Sequence, residues 1–78
     1  MVKPTKVTNA IRALRFARGE MTQAELAERI GVTRQTVIAI EQSRYSPSLE
    51  MAFQIAKVFN VPLDDVFAYP DSEDLDRT

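Results

Sequence analysis

Between Thr22 and Gln42 the chain has room for two short helices and almost nothing between them. Apolar residues recur at helical spacing on both sides of Gly31: Leu26, Ala27 and Ile30 before it, Val37 and Ile40 after it. Thr22 and Glu25 have capping-box spacing, in which the hydroxyl accepts a first-turn amide and the carboxylate reaches back to the cap's own amide. Gly31 suits the left-handed residue that closes a helix, where a Cβ would be strained. Thr33 can cap the next helix almost at once. Helices are therefore predicted over Gln23–Ile30 and Arg34–Gln42, crossing where Ala27 is small enough for the backbones to approach. Leu26, Ile30, Val32, Val37 and Ile40 supply the shared apolar seam. Arg34, Gln35, Ile38, Ala39 and Gln42 then point away from it and form one exposed face.

The rest of the chain reads as further helices around this pair. Ile11, Leu14 and Ala17 mark a face of a first helix over Asn9–Arg18, ending at Gly19. Ala52, Ile55, Ala56 and Phe59 mark a fourth over Leu49–Phe59, with Ser48 as its cap and Asn60 in the role of Gly31. Leu63, Val66 and Phe67 suggest a short fifth behind Pro62. Asp64 and Asp65 there meet the positive end of the helix dipole. Val66–Tyr69, ahead of Pro70, fits either a helix end or a short strand. The prediction is an all-α, compact five-helix domain over residues 9–69. An extended arm (1–8) precedes it and an acidic, flexible tail (70–78) follows.

Composition removes several function classes. A chain of 78 residues makes one small domain, burying only about 60% of its unfolded surface. It has no Cys and no His, so disulfides, thiolate metal sites and the commonest general base are missing. An enzyme is not expected, nor a cofactor or a metal. A small-molecule ligand is not evident. The longest uninterrupted apolar runs, Val37–Ile40 and Val66–Tyr69, are far short of the roughly 20 residues a membrane span needs. Lys3 and Lys6 have no apolar stretch behind them, so no secretory signal is read and a cytoplasmic protein is expected. The net charge of −1 conceals an asymmetry. Residues 1–59 hold nine Lys or Arg against five Glu, while residues 60–78 hold six carboxylates against Arg77 alone. A local basic patch, not the whole-chain pI, is what meets phosphate.

The stretch TQAELAERIGVTRQTVIAIEQSRYSPSLEMAFQIAKVFNVPLDDVF resembles the Cro and phage-repressor type (XRE) helix-turn-helix family. Gln-x-x-Leu-Ala at 23–27, Gly31, Thr33, Val37, Ile40-Glu41 and Pro47-Ser48 carry the likeness, which covers about residues 9–67. More narrowly, the chain is similar to the small stand-alone regulators of that family, such as the cytolysin repressor. The resemblance implies a lambda-repressor-like fold and sequence-specific binding of double-stranded DNA. It also implies transcriptional regulation, most simply as a repressor. Gln23 would hold a phosphate at the start of the second helix. Arg34 and Gln35 would reach base edges, since Arg can take guanine O6 and N7 together and Gln can pair with adenine N6 and N7. Thr33 and Ile38 would offer methyl groups to thymine, Thr36 a hydroxyl to phosphate, and Ala39 would complete the face. Arg44, Tyr45 and Ser46 would grip the backbone, with Arg12 and Arg18 adding to a basic rim. Arg15 and Glu41 match a structural ion pair between the first helix and the end of the third.

The likeness further implies a homodimer in which an N-terminal strand, here Lys6–Thr8, pairs with one after the fifth helix, here Phe67–Tyr69. Phe53, Phe59, Phe67 and Tyr69 are assigned to the dimer interface, and Phe16 to the core or that face. Phe53 stands out because it lies off the Ala52–Ile55–Phe59 stripe. The sequence departs from the family after the third helix, where the usual Asn-Gly turn is Gln42-Ser43, and at Glu20, a carboxylate near the DNA side. Three alternatives stay open: an antitoxin, a restriction-modification controller, and a protein-interaction module that has lost DNA binding.

Overall fold

The computed structural model describes residues 5–70. Five helices and a two-stranded ribbon follow in the order β1 (Thr8–Asn9), α1 (Ile11–Ala17), α2 (Gln23–Ile30), α3 (Arg34–Glu41), α4 (Leu49–Phe59), α5 (Leu63–Val66) and β2 (Phe67–Ala68). The first four residues of the predicted arm and residues 71–78 of the acidic tail lie outside the described residues.

Helix starts follow local side-chain chemistry. The Thr22 hydroxyl accepts from the Glu25 amide at 3.0 Å, and the Glu25 carboxylate accepts from the Thr22 amide at 2.8 Å. Thr33 accepts from the Thr36 amide at 3.3 Å and Ser48 from the Met51 amide at 3.1 Å. Each bond satisfies one of the amides that a helix start leaves without a partner inside the helix.

Three helix ends share a single device. In α2, the Val32 amide donates to Ala27 O and the Gly31 amide to Glu28 O, with Gly31 at φ 75°. The same double closure recurs after α3 and α4, where the left-handed residue is Ser43 (φ 59°) and Asn60 (φ 57°). This is the Schellman arrangement, which suits glycine and costs a residue with a Cβ some strain. The end of α1 is wider: the Met21 amide donates to Arg15 O and the Glu20 amide to Phe16 O, across two left-handed residues, Gly19 (φ 75°) and Glu20 (φ 61°).

The core is made by Ile11, Leu26, Ile30, Val37, Ile40, Ile55, Phe59 and Val66, with Met21 closing it under the α1–α2 loop. Every helix contributes, so α2 and α3 are seated on α4 and α1, not held only by their own turn. Phe59 is 2% exposed in the single chain. It belongs to the core, which corrects its assignment to a dimer interface. Ala17, expected on the buried face of α1, is exposed.

The termini pair as an antiparallel ribbon with Thr8 opposite Ala68 and Asn9 opposite Phe67. The open choice for the stretch after α5 is thus settled as a strand. Both partners are shorter than the expected Lys6–Thr8 and Phe67–Tyr69, and the first lies nearer α1. Asn9 is consequently a strand residue, and α1 begins two residues later than the apolar pattern suggested. Among the described residues no helix is long and apolar enough to cross a membrane, and no group of His, Cys, Asp or Glu is placed to hold a metal ion.

Candidate nucleic-acid interface

Gly31, Val32 and Thr33 turn the chain so that α3 lies across α2. Val37 and Ile40 face inward and are essentially buried. The opposite face of α3 is open: Arg34, Gln35 and Gln42 are exposed, and Ile38 and Ala39 are half-buried. Thr33 is exposed and Thr36 half-buried, and their hydroxyls lie 3.1 Å apart in a mutual hydrogen bond. That bond consumes one of the two hydroxyl hydrogens and leaves the other free to donate. The loop behind α3 presents Arg44, Tyr45 and Ser46, all exposed. It is held against the helix by the Arg44 amide donating to Ala39 O at 2.9 Å.

Glu41 anchors this face to the rest of the domain. Arg15 grips its carboxylate with two donors, Nε to Oε2 at 2.8 Å and Nη2 to Oε1 at 3.2 Å. A third Arg15 donor, Nη1, reaches Met21 O at 2.8 Å. The two side chains are only 12% and 10% exposed. Gln23 Nε2 donates to Glu41 Oε1 at 3.1 Å. One carboxylate therefore joins α1, the start of α2 and the end of α3. The Gln23 amide has a second hydrogen, so the bond to Glu41 aims the group without exhausting it.

A groove of about 690 Å³ runs between α1, the start of α2 and α3, lined among others by Arg12, Phe16, Gln23 and Arg34. The Arg12 guanidinium lies 5.7 Å from the Phe16 ring centroid, a cation–π contact one helical turn apart. Arg15–Glu41 is the one ion pair among the described residues. Among the described residues Arg12, Arg34 and Arg44 form no ion pair with a carboxylate. Glu20 lines the same groove, as its position in the sequence implied.

One expectation fails here and another is narrowed. Arg18 does not join the basic rim: its guanidinium donates to Phe59 O at the C-terminal end of α4, where a cation suits the helix dipole. Phe16 is not core; it is 55% exposed beside the groove. Among the aromatics assigned to self-association, Phe53 and Tyr69 are 50% and 54% exposed and Phe67 is half-buried. Phe67 borders a second, shallower apolar groove of about 320 Å³ with Val7, Pro47, Leu49, Ala52 and Leu63. Sequence reasoning missed Asn9 and the docking of Thr5 and Val7 on Ser43, because contacts between distant residues leave no periodic or capping signal.

An exposed helix face, backed by the apolar side of a partner helix across a three-residue turn, is the arrangement of a helix-turn-helix DNA-binding domain. The helix-turn-helix family model HTH_3 matches residues 11–66. The chain belongs to this helix-turn-helix family, of the Cro and phage-repressor type, and is a DNA-binding transcriptional regulator. It is 55% identical over 53 residues to an uncharacterized HTH-type transcriptional regulator of Methanocaldococcus jannaschii, covering 68% of this chain and 80% of that one. It is 38% identical over 66 residues to RstR, the transcriptional repressor of the cryptic phage CTXphi in Vibrio cholerae, covering 85% of this chain and 57% of RstR. A crystallised Bacteroides fragilis protein, provisionally described as DNA-binding, superposes with a TM-score of 0.69 at 26% identity, covering 80% of this chain and 98% of that one.

Proposed function

We propose that the protein is a homodimeric repressor that binds an inverted-repeat operator with α3 in the major groove. The open face of α3 carries this reading. Arg34 and Gln35 stand exposed at its N-terminal end with no side-chain partner among the described residues, at the end of a helix that a helix-turn-helix domain directs at base edges. Thr33, Ile38 and Ala39 line the same face and take the apolar contacts. Gln23, Thr36, Arg44, Tyr45 and Ser46 surround it and hold the phosphates, fixing register without reading sequence. Repression is supported by the likeness to RstR. Self-association is supported by the exposed rings of Phe53 and Tyr69, together with half-buried Phe67 beside its apolar groove.

The test is selection of binding sites from a randomised duplex pool. An enriched inverted repeat is expected, with half-sites about 34–36 Å apart, one turn of duplex. A single enriched half-site would retain DNA reading and remove the dimer. No enrichment from folded protein at low salt would remove both. Arg34→Ala combined with Gln35→Ala is expected to abolish sequence preference while leaving the fold intact. Unchanged binding activity in that variant would favour a protein-interaction module. Affinity is expected to fall with rising salt at a log–log slope of about −0.9 per neutralised phosphate.

A further inference from the structure

Asn9 ends β1, opposite Phe67, and lies two residues ahead of α1. Its side chain works in two directions. Oδ1 accepts from the Ile11 amide at 3.1 Å, at the start of α1. Nδ2 donates to Ile40 O at 3.0 Å and Glu41 O at 3.4 Å, in the last turn of α3. Neither carbonyl has an amide inside the helix to accept from; Ile40 O also takes the Ser43 amide of the closing turn at 3.0 Å, which leaves one lone pair for Asn9. One amide group therefore joins the ribbon, α1 and the C-terminal end of the recognition helix. Two neighbouring bonds reinforce the joint: Ser43 Oγ donates to Val7 O at 3.1 Å, and the Thr5 amide to Ser43 O at 3.0 Å. The joint needs an amide. A carboxylate would set an oxygen against two carbonyl oxygens, and an alkyl group would leave both ends without a partner.

We infer that Asn9 is a positioning residue for sequence recognition, fixing the angle at which α3 meets the bases relative to the ribbon and α1. The inference rests on the reading of α3 as the base-reading helix. Phosphate contacts tolerate a small rotation of the domain, whereas bidentate contacts to base edges do not. A positioning role therefore touches sequence-specific binding alone. A role in stability alone would weaken binding to every duplex in the same proportion.

The experiment compares the full chain with Asn9→Asp, which keeps the acceptor for Ile11 and loses the donor, and with Asn9→Ser, which can cap α1 but is too short to reach α3. Each is measured against the best duplex from the selection and against a random-sequence duplex over the same series of salt concentrations, with folding followed by circular dichroism. The ratio of specific to random affinity is expected to fall about tenfold, the worth of one displaced base contact, with random-duplex affinity and its salt slope unchanged. An unchanged ratio, or parallel loss on both duplexes, overturns the assignment. If Asn9→Asp does not fold, Asn9→Ser decides. Failure of both to fold makes Asn9 a stability residue and overturns it equally. A parent chain that prefers no duplex withdraws the base-reading role of α3 itself. That outcome differs from a parent that discriminates and a variant that discriminates as well.

Discussion

The α2–α3 pair and the ribbon with α1 are held by different kinds of bond. In the pair, capping bonds join residues three apart: Thr22 with Glu25 and Thr33 with Thr36. The ribbon and α1 depend on partners far along the chain. Asn9 reaches Ile40, Ala10 reaches Val66, and Thr8 pairs with Ala68. The first region carries the instructions for its own shape and the second borrows them from the fold. The open face of α3 therefore sits on a self-specified unit, while the unit is joined to the rest of the domain by long-range contacts, Arg15–Glu41 and Asn9 among them.

The largest effect is expected where the two regions meet. Glu41→Ala leaves Arg15 nearly buried without its carboxylate and removes the partner of Gln23. Loss of one member of such a pair costs about 3–5 kcal/mol, a large part of the stability of so small a domain. An unfolding free energy, from denaturant titration, lowered by less than a third of that would mean that the two regions are not joined through this group. Within the self-specified unit, Gly31→Ala tests backbone strain in isolation. A Cβ there meets nothing within 4 Å, so only the left-handed φ of 75° is penalised, by about 1–2 kcal/mol. A larger thermal destabilisation would show that the turn is held by more than its own conformation.

Removal of a cap sharpens the contrast further. Thr22→Ala is expected to cost about 1 kcal/mol. Faster hydrogen exchange is expected in the first turn of α2, with the ribbon amides unaffected; equal acceleration in the ribbon would break the distinction. The smallest effect is expected for Ser43→Gly. Relief of left-handed strain of about 1 kcal/mol offsets loss of the Oγ bond to Val7, worth about as much. The melting temperature should hardly move, while the Thr5 amide on Ser43 exchanges faster as the arm loosens.

How far each element could be read in advance follows the same division. Thr22, Thr33 and Ser48 announce helix starts because capping is a local transaction between a side chain and an amide in the next turn. Gly31 and Asn60 announce helix ends because their residue types tolerate positive φ. Glu20 and Ser43 take the same conformation without announcing it, since nothing in their chemistry favours it. Asn9 looked like the first residue of α1 because a polar residue ahead of an apolar stripe reads that way, whichever strand it later joins. Phe59, expected on a subunit face, is core, and Phe16, for which core or face was left open, is exposed. Hydrophobicity marks a side chain as able to be buried, while its surroundings decide whether it is. Arg18 reads as one more cation of the rim until the end of α4 is brought beside it.

Five helices, the caps that start three of them, the tight turn at Gly31 and the residue types on the outer face of α3 are all written in the order of the residues. These are consequences of helical period and of contacts between residues three or four apart. The register of the ribbon, the arrival of Gln23 on the Arg15–Glu41 pair, the docking of Thr5 and Val7 on Ser43, and the bridge made by Asn9 came from packing. Such contacts form between segments that the chain brings together only after its apolar faces have packed, so no local pattern encodes them.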